Sequence, residues 1–343
     1  MMKTMMWAVA LTAAVTWGEE VVKVGIIGCD TSHAIAFTEM LNTKNDPDCA
    51  GFRVTVAHKW GSRDIFSSTN RYPKYIAQLE GMGVRMAPTI ADLLAEADVV
   101  LLETCDGRPH LAQATEVFRS GKPVFIDKPV TASLADAVRL VDTAKKMGAK
   151  WFCSSSLRYV KNAQKANKGE LGPIRGANCW TPEQFEPTQS AFFWYAIHGA
   201  EPLFTIMGTG CREVRCTGTE TEDVMVGTWK DGRLGVLRGL NYKKKGAGYG
   251  GTIFTEYYGV VDMGTYAGYK PLLVEILKFF RTGVVPIPPE ETLEIYAFLE
   301  AAAQSKARGG AAVTYTATSA RCCSLNLAGF RTVWSFCARG LYC

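Results

Sequence analysis

Two residues stand where packing alone does not call for them. Lys128 follows the apolar run Val124-Phe125-Ile126, in Asp127-Lys128-Pro129. A lysine at the tip of a buried strand suits the orientation of a hydroxyl, or the stabilisation of negative charge as a proton leaves. His198 stands in Ala196-Ile197-His198-Gly199-Ala200-Glu201, beside the aromatic triple Phe193-Trp194-Tyr195. Imidazole titrates near neutral pH and is a natural proton acceptor. Aromatic neighbours suit a cleft wall. Oxidation of a secondary alcohol needs such a base, such a cation and a hydride acceptor held nearby.

A third feature concerns that acceptor. The strand-like run 21–27 ends in Gly28-Cys29-Asp30-Thr31-Ser32-His33. A dinucleotide turn has three glycines, in G-x-G-x-x-G spacing. Only Gly28 fits; Asp30 and His33 hold the other two places. The Asp30 carboxylate repels a pyrophosphate unless it turns away, and Asp30 or Ser32 is equally suited to cap the following helix. Thr31, Ser32 and His33 are candidate phosphate donors at that helix start.

The second strand of such a fold ends in an acid that binds ribose hydroxyls. Here it runs into His58-Lys59-Trp60-Gly61-Ser62-Arg63, with no acid at the strand end. Lys59, Ser62 and Arg63 suit a 2′-phosphate, and are equally ordinary as loop residues. His58 is read as structural. The fourth strand opens into Glu103-Thr104-Cys105-Asp106-Gly107-Arg108-Pro109-His110, a polar turn where a crevice is expected.

These residues need a scaffold. Apolar runs at 21–27, 53–57, 98–102, 123–126 and 150–153 alternate with helical stretches at 34–41, 72–81, 89–95, 111–119 and 134–147. Continuous apolar strands between helices imply βαβ units and a buried parallel sheet, with ligands at the carboxyl ends of its strands. Beyond about residue 170, strand-like runs at 212–217, 224–229, 234–240 and 252–258 precede helices at 272–280 and 291–307. That order predicts an α+β second domain with a largely antiparallel sheet. The expected division is 19–154 for a Rossmann-like dinucleotide-binding domain and 155–312 for a substrate and oligomerisation domain.

Gly121-Lys122-Pro123-Val124-Phe125-Ile126-Asp127-Lys128-Pro129, with the Gly turn before it, the His-bearing loop 103–110 and the Ser-rich sixth strand, resembles the glucose–fructose oxidoreductase/inositol dehydrogenase family, Gfo/Idh/MocA. Asp-Lys-Pro stands for that family's Glu-Lys-Pro. The resemblance spans about residues 21–310. It implies an oxidoreductase using NAD or NADP on a sugar or polyol, with Lys128 polarising the hydroxyl and His198 as general base. Cofactor contacts are expected from Gly28, Asp30, Thr31, Ser32, His33, Lys59, Ser62, Cys105, Asp106, His110 and Asp127, of which the resemblance implies Gly28 and His110. It implies a substrate side that includes Arg158 and Glu201, and a homo-oligomer; Trp180 is a further expected substrate contact. The family aspartate four residues before the histidine is here Trp194. The alternative is a catalytically degenerate carbohydrate-binding or scaffolding protein that keeps the fold.

The 343 residues are 48% hydrophobic and 21% charged, which excludes a disordered chain. All of the +5 net charge resides in residues 301–343, which hold five basic residues and no acid. The body is therefore neutral, against nucleic-acid binding. Lys3, the apolar stretch 5–15 and Thr16-Trp17-Gly18 read as an export signal over residues 1–18, placing the protein in the periplasm or outside the cell, with the cytoplasm as the alternative. Apart from that segment no membrane association is expected. None of the 11 cysteines forms a metal-spaced cluster with a neighbour in sequence, so no metal is expected. Four cysteines crowd residues 313–343, an atypical tail that reads either as a non-native extension or as an exported tail with disulfides.

Overall fold

The computed structural model describes residues 21–44, 46–242 and 248–315. The expected export signal, and all but the first residues of the expected tail, lie outside the described residues.

The first sheet is wholly parallel. Its strands are β1 (Val22–Ile27), β2 (Phe52–His58), β3 (Arg85–Ala87), β4 (Val99–Leu102), β5 (Val124–Ile126) and β6 (Trp151–Cys153), in spatial order β3-β2-β1-β4-β5-β6. The order reverses between β1 and β4, which makes the crevice outside their carboxyl ends the ligand position. Helices α1 (Ser32–Asn42), α2 (Phe66–Gly81), α3 (Ile90–Glu96), α4 (His110–Ser120) and α5 (Leu134–Met147) make the crossovers. The sheet's close packing has specific steric origins: a Cβ at Gly25 would stand 2.7 Å from the Leu93 side chain of α3.

After α6 (Lys161–Asn167), the second sheet takes the order β12-β11-β7-β10-β9-β8-β13. Its strands are β7 (Ile174–Pro182), β8 (Cys211–Gly218), β9 (Glu222–Trp229), β10 (Leu234–Leu240), β11 (Gly250–Thr255), β12 (Gly259–Asp262) and β13 (Val313–Thr314). All pairings are antiparallel except β7 with β10, so the sheet is mixed and mostly antiparallel. Helices α7 (Ile197–Met207) and α9 (Pro289–Ala307) cover its inner face.

Helix α8 (Lys270–Thr282) crosses the expected domain division. Its Leu272, Leu273, Ile276, Leu277 and Phe279 pack with Phe37 of α1 and with Phe125 and Phe152 of the first sheet. The second half of the chain thus roofs one face of the first domain. Val313 and Thr314 also pair with β8, and Tyr315 is buried, so the sheet continues into the region expected to be a foreign tail. The seven cysteines among the described residues are free and buried. Among those residues no helix is long and apolar enough to cross a membrane.

Candidate functional site

The turn after β1 has one true glycine requirement. Gly28 has φ +93°, and a Cβ there would lie 2.5 Å from the Thr104 nitrogen. The following helix is capped by Thr31, whose side chain accepts from the Ala34 amide, and not by Asp30 or Ser32. Asp30 is wholly buried. It accepts from the Cys105 amide at 2.9 Å, the Ser62 amide at 3.4 Å, the Ser68 hydroxyl at 2.7 Å and the Cys105 thiol at 3.1 Å. The carboxylate therefore pins three loops together from beneath. Its oxygens are taken up by protein donors, so it is a structural group and not a cofactor contact. Burial, and secondarily Asp30, pushes the Cys105 thiol well above its ordinary range, so Cys105 is inert.

The loop after β2 departs further from expectation. The Ser62 hydroxyl donates to Asp106 at 3.0 Å and to Asp64 at 2.9 Å. Arg108 bridges the same two carboxylates and holds the Asp64 carboxyl well below its usual range. Ser62 and Asp106 are thus occupied by one another, and two carboxylates stand in the loop that offered either a 2′-phosphate site or ordinary surface residues. Lys59 and Arg63 remain exposed beside them. His58 hydrogen-bonds the Ala87 carbonyl, as a structural residue does. His110 is wholly buried with its ring nitrogens 2.8 Å from the Thr104 carbonyl and 3.2 Å from that of Val130. Burial depresses its pKa. It ties two loops together and is not placed to touch a cofactor.

Lys128 and His198 meet at one cleft, although they come from different domains. Lys128 extends from the end of β5, with Nζ 5.8 Å from the centre of the Trp194 ring. His198 occupies the first turn of α7, and its Nδ1 is 2.7 Å from the Ser155 hydroxyl just after β6. With Nδ1 engaged, Nε2 is left for a ligand. Burial first, and the Lys128 charge second, hold this imidazole well below its ordinary pKa. It is therefore neutral, and able to accept a proton, at neutral pH.

The cleft encloses about 280 Å³. Thr31, Ser32 and His33 of the first domain line it together with Trp194, Tyr195, Tyr249 and Tyr266 of the second. Ser32 and Tyr269 join their hydroxyls at 2.9 Å across the domain boundary, and Ser156 and Tyr266 do so at 3.1 Å. Of these aromatic residues the sequence singled out only the group at 193–195, and Phe193 itself is core. Tyr249, Tyr266 and Tyr269, like Ser67, Arg71 and Gln184 on the same cleft, carried no local signal.

Three expected substrate contacts are placed elsewhere. Arg158 is buried between Glu201 at 2.6 Å and Glu291 at 2.7 Å, so both Arg158 and Glu201 belong to an internal ion cluster. Trp180 lies on the outward face of the second sheet, in a separate depression with Asn178, Val236 and Arg238.

A dinucleotide fits the crevice at its turn. Gly28 makes the bend, Asp30 faces inward, and the first-turn amides of α1 lack intrahelical acceptors, as in any helix. The residues that would hold it are Gly28, Thr31, Ser32 and, toward the far end, Lys59.

The reversing parallel sheet, its glycine turn and a cleft closed by a second, mixed sheet define a two-domain protein built on a nucleotide-binding α/β scaffold. Residues 22–154 match the family model described as "Oxidoreductase family, NAD-binding Rossmann fold". Over these residues the chain is similar to the NAD-binding Rossmann domain of the Gfo/Idh/MocA family.

A curated relative, inositol 2-dehydrogenase 3 of Saccharopolyspora erythraea, is 32% identical over 105 residues. That match covers 29% of this chain and 31% of the relative. The fold is shared with scyllo-inositol dehydrogenase of Lactobacillus casei, solved with NAD(H) and scyllo-inositol, at TM-score 0.62 and 15% identity over 86% of this chain and 99% of that one. It is also shared with an oxidoreductase of Agrobacterium radiobacter, solved with NAD+, L-tartaric acid and magnesium, at TM-score 0.65 and 16% identity over 85% of this chain and 98% of that one.

Proposed function

We propose that the protein is an NAD(P)-dependent oxidoreductase acting on a secondary hydroxyl of a sugar or polyol. The observation that carries the reading is the arrival of Lys128 and His198, from two domains, at the same cleft. The bound nicotinamide supplies hydride acceptance. Lys128 places a positive charge beside the reacting oxygen and favours its alkoxide form. His198 Nε2 takes the hydroxyl proton, and the contact with Ser155 fixes the ring while it does so. Tyr195, Tyr249 and Tyr266 offer flat apolar faces with hydroxyl rims, matched to a ring whose faces carry C–H groups and whose edge carries hydroxyls. The enclosed volume suits a single ring.

Purified protein, incubated with NAD+ or NADP+ and a panel of inositols and aldoses, is expected to show reduced-nicotinamide absorbance with at least one pair. The Lys128→Ala and His198→Ala variants are expected to abolish it. Failure to bind either nucleotide at millimolar concentration in calorimetry overturns the reading. A second reading, a sugar-binding protein without redox activity, draws on the missing ribose acid after β2 and on the carboxylates of Asp64 and Asp106 there. Ring-ligand binding without nucleotide binding would establish it. We also propose, from the apolar leader, that the protein acts outside the cytoplasm; fractionation of the source cells tests that.

A further inference from the structure

Three carboxylates, Asp30, Glu103 and Asp127, lie beneath the cleft with no exposed surface. Asp30 has four donors. Asp127 has the Lys128 amide at 2.8 Å, and His33 Nδ1 at 3.1 Å from the same oxygen. Glu103 has only the Thr31 hydroxyl, at 3.3 Å. Three buried atoms are left with no hydrogen-bond partner: Glu103 Oε1, Asp127 Oδ2 and His33 Nδ1, whose approach to Asp127 lacks hydrogen-bond geometry. Burying such atoms bare is costly, and native structures avoid it.

The three side chains converge from separate elements: the first turn of α1, the end of β4 and the end of β5. One His33 nitrogen and one oxygen from each carboxylate lie within 4.8 Å of one another. His33 Nδ1 is 3.8 Å from Glu103 Oε2 and 3.1 Å from Asp127 Oδ1. An ion held at about 2.0–2.2 Å by such donors keeps them roughly 3–4 Å apart. The imidazole is fixed by Phe37, stacked at 5.1 Å, and by the edge of Tyr269 at 4.4 Å. His33, Asp127 and Thr31 line the cleft, so the cluster has an open side.

We propose that His33, Glu103 and Asp127 form a site for one first-row divalent cation of the zinc type, with its free coordination positions toward the cleft. An imidazole with two carboxylates is a borderline donor set that suits zinc, cobalt or manganese better than calcium. Two carboxylates with an imidazole nitrogen match a doubly charged ion. The Lys128 ammonium stands nearby and opposes it, and the buried Asp30 carboxylate favours it. A lone proton on Glu103 neutralises one charge but cannot serve all three bare atoms. The cation then offers a second electrophile beside Lys128 for an oxygen of the ligand. The proposal goes beyond the redox reading, and its test needs neither nucleotide nor sugar.

The full chain, stripped with a chelator and dialysed, is titrated with Zn2+ by calorimetry and with Co2+ by visible absorption. One equivalent per chain is expected, with a Co2+ spectrum showing nitrogen and oxygen ligation. Glu103→Gln and Asp127→Asn are each expected to weaken Zn2+ binding roughly 100-fold or more, beyond what loss of an outer-shell partner does. His33→Asn serves if either variant fails to fold by circular dichroism. Cys105→Ser is expected to leave binding unchanged. Absence of saturable binding in the folded wild type overturns the proposal. Equal binding in wild type and folded variants also overturns it, as does a thiolate signature in the Co2+ spectrum.

Discussion

The Ser155 hydroxyl stands 2.7 Å from His198 Nδ1 and also accepts the Leu157 amide at 3.2 Å. The strand end of one domain thereby sets the imidazole of the other. Burial and the Lys128 charge lower that imidazole's pKa. The acid limb of the oxidation rate is therefore expected below the ordinary histidine range of about 6.5. In the unfolded chain the same group protonates near that value, so its contribution to stability is present above it and is lost as pH falls below it. A pH profile of kcat/KM, compared with that of Ser155→Ala, checks the first point. Urea melts of wild type and His198→Gln between pH 5 and 8 check the second. A limb at or above the ordinary value in the wild type contradicts the assignment.

Lys128 makes no ion pair among the described residues, and its ammonium faces an aromatic ring. Its charge is therefore available to the reacting oxygen. Lys128→Met is expected to lower kcat by roughly 10²–10³-fold, the scale for loss of one charge-stabilising donor, while leaving the melting temperature close to wild type. If KM rises and kcat does not change, Lys128 binds substrate without polarising it.

Asp30 gives the opposite pattern. Asp30→Gly restores a glycine of the dinucleotide motif, yet it removes the acceptor for two amides, a hydroxyl and a thiol. Hydrogen bonds to a charged group contribute about 1.5–3 kcal/mol each and do not add fully. A loss of at least about 3 kcal/mol in chemical denaturation is expected, with no gain in nucleotide affinity. A stable variant that binds the dinucleotide more tightly would show that the buried carboxylate opposes the cofactor.

The parallel sheet was legible because strands buried on both sides read as unbroken apolar runs, as in Val99–Leu102. The interior strand β7 was not, since Ile174–Pro182 mixes Arg, Gly, Asn and Pro into a partly exposed pattern. The first residues of α2 were missed because Phe66-Ser67-Ser68-Thr69-Asn70 shows no helical period and Pro73 follows inside the helix. Lys128 and His198 could be singled out because each is anomalous in its own neighbourhood. Arg158 misled for a related reason: its partners Glu201 and Glu291 are distant in sequence. Spacing rules for metal ligands likewise fail for His33, Glu103 and Asp127, which only the crossovers of the sheet bring together.

Glu183 supplies a further pH dependence, remote from the reacting groups. It follows β7 and begins the segment that carries Trp194 and Tyr195 and that reaches the first domain through Gln189 to Asp106 at 3.0 Å. Burial, and then the neighbouring Asp223 carboxylate, raises the Glu183 pKa to about 8. Lys306, 2.6 Å from Asp223, neutralises one acid of the pair but not both. A Gly239 Cβ would lie 2.5 Å from the Glu183 carboxyl, so little room is left for water to solvate a second charge. The unfolded chain loses this proton near the ordinary value of 4.5, whereas the folded chain keeps it to about 8. Stability from this group is therefore full below 4.5 and is lost as pH rises toward 8, levelling above. Glu183→Gln keeps the neutral shape and removes the dependence. Its melting temperature is expected to gain on wild type steadily across that window, and its KM to stay level where that of wild type rises above pH 8. Parallel melting curves for the two proteins across the window would show that Glu183 is already ionised in the fold.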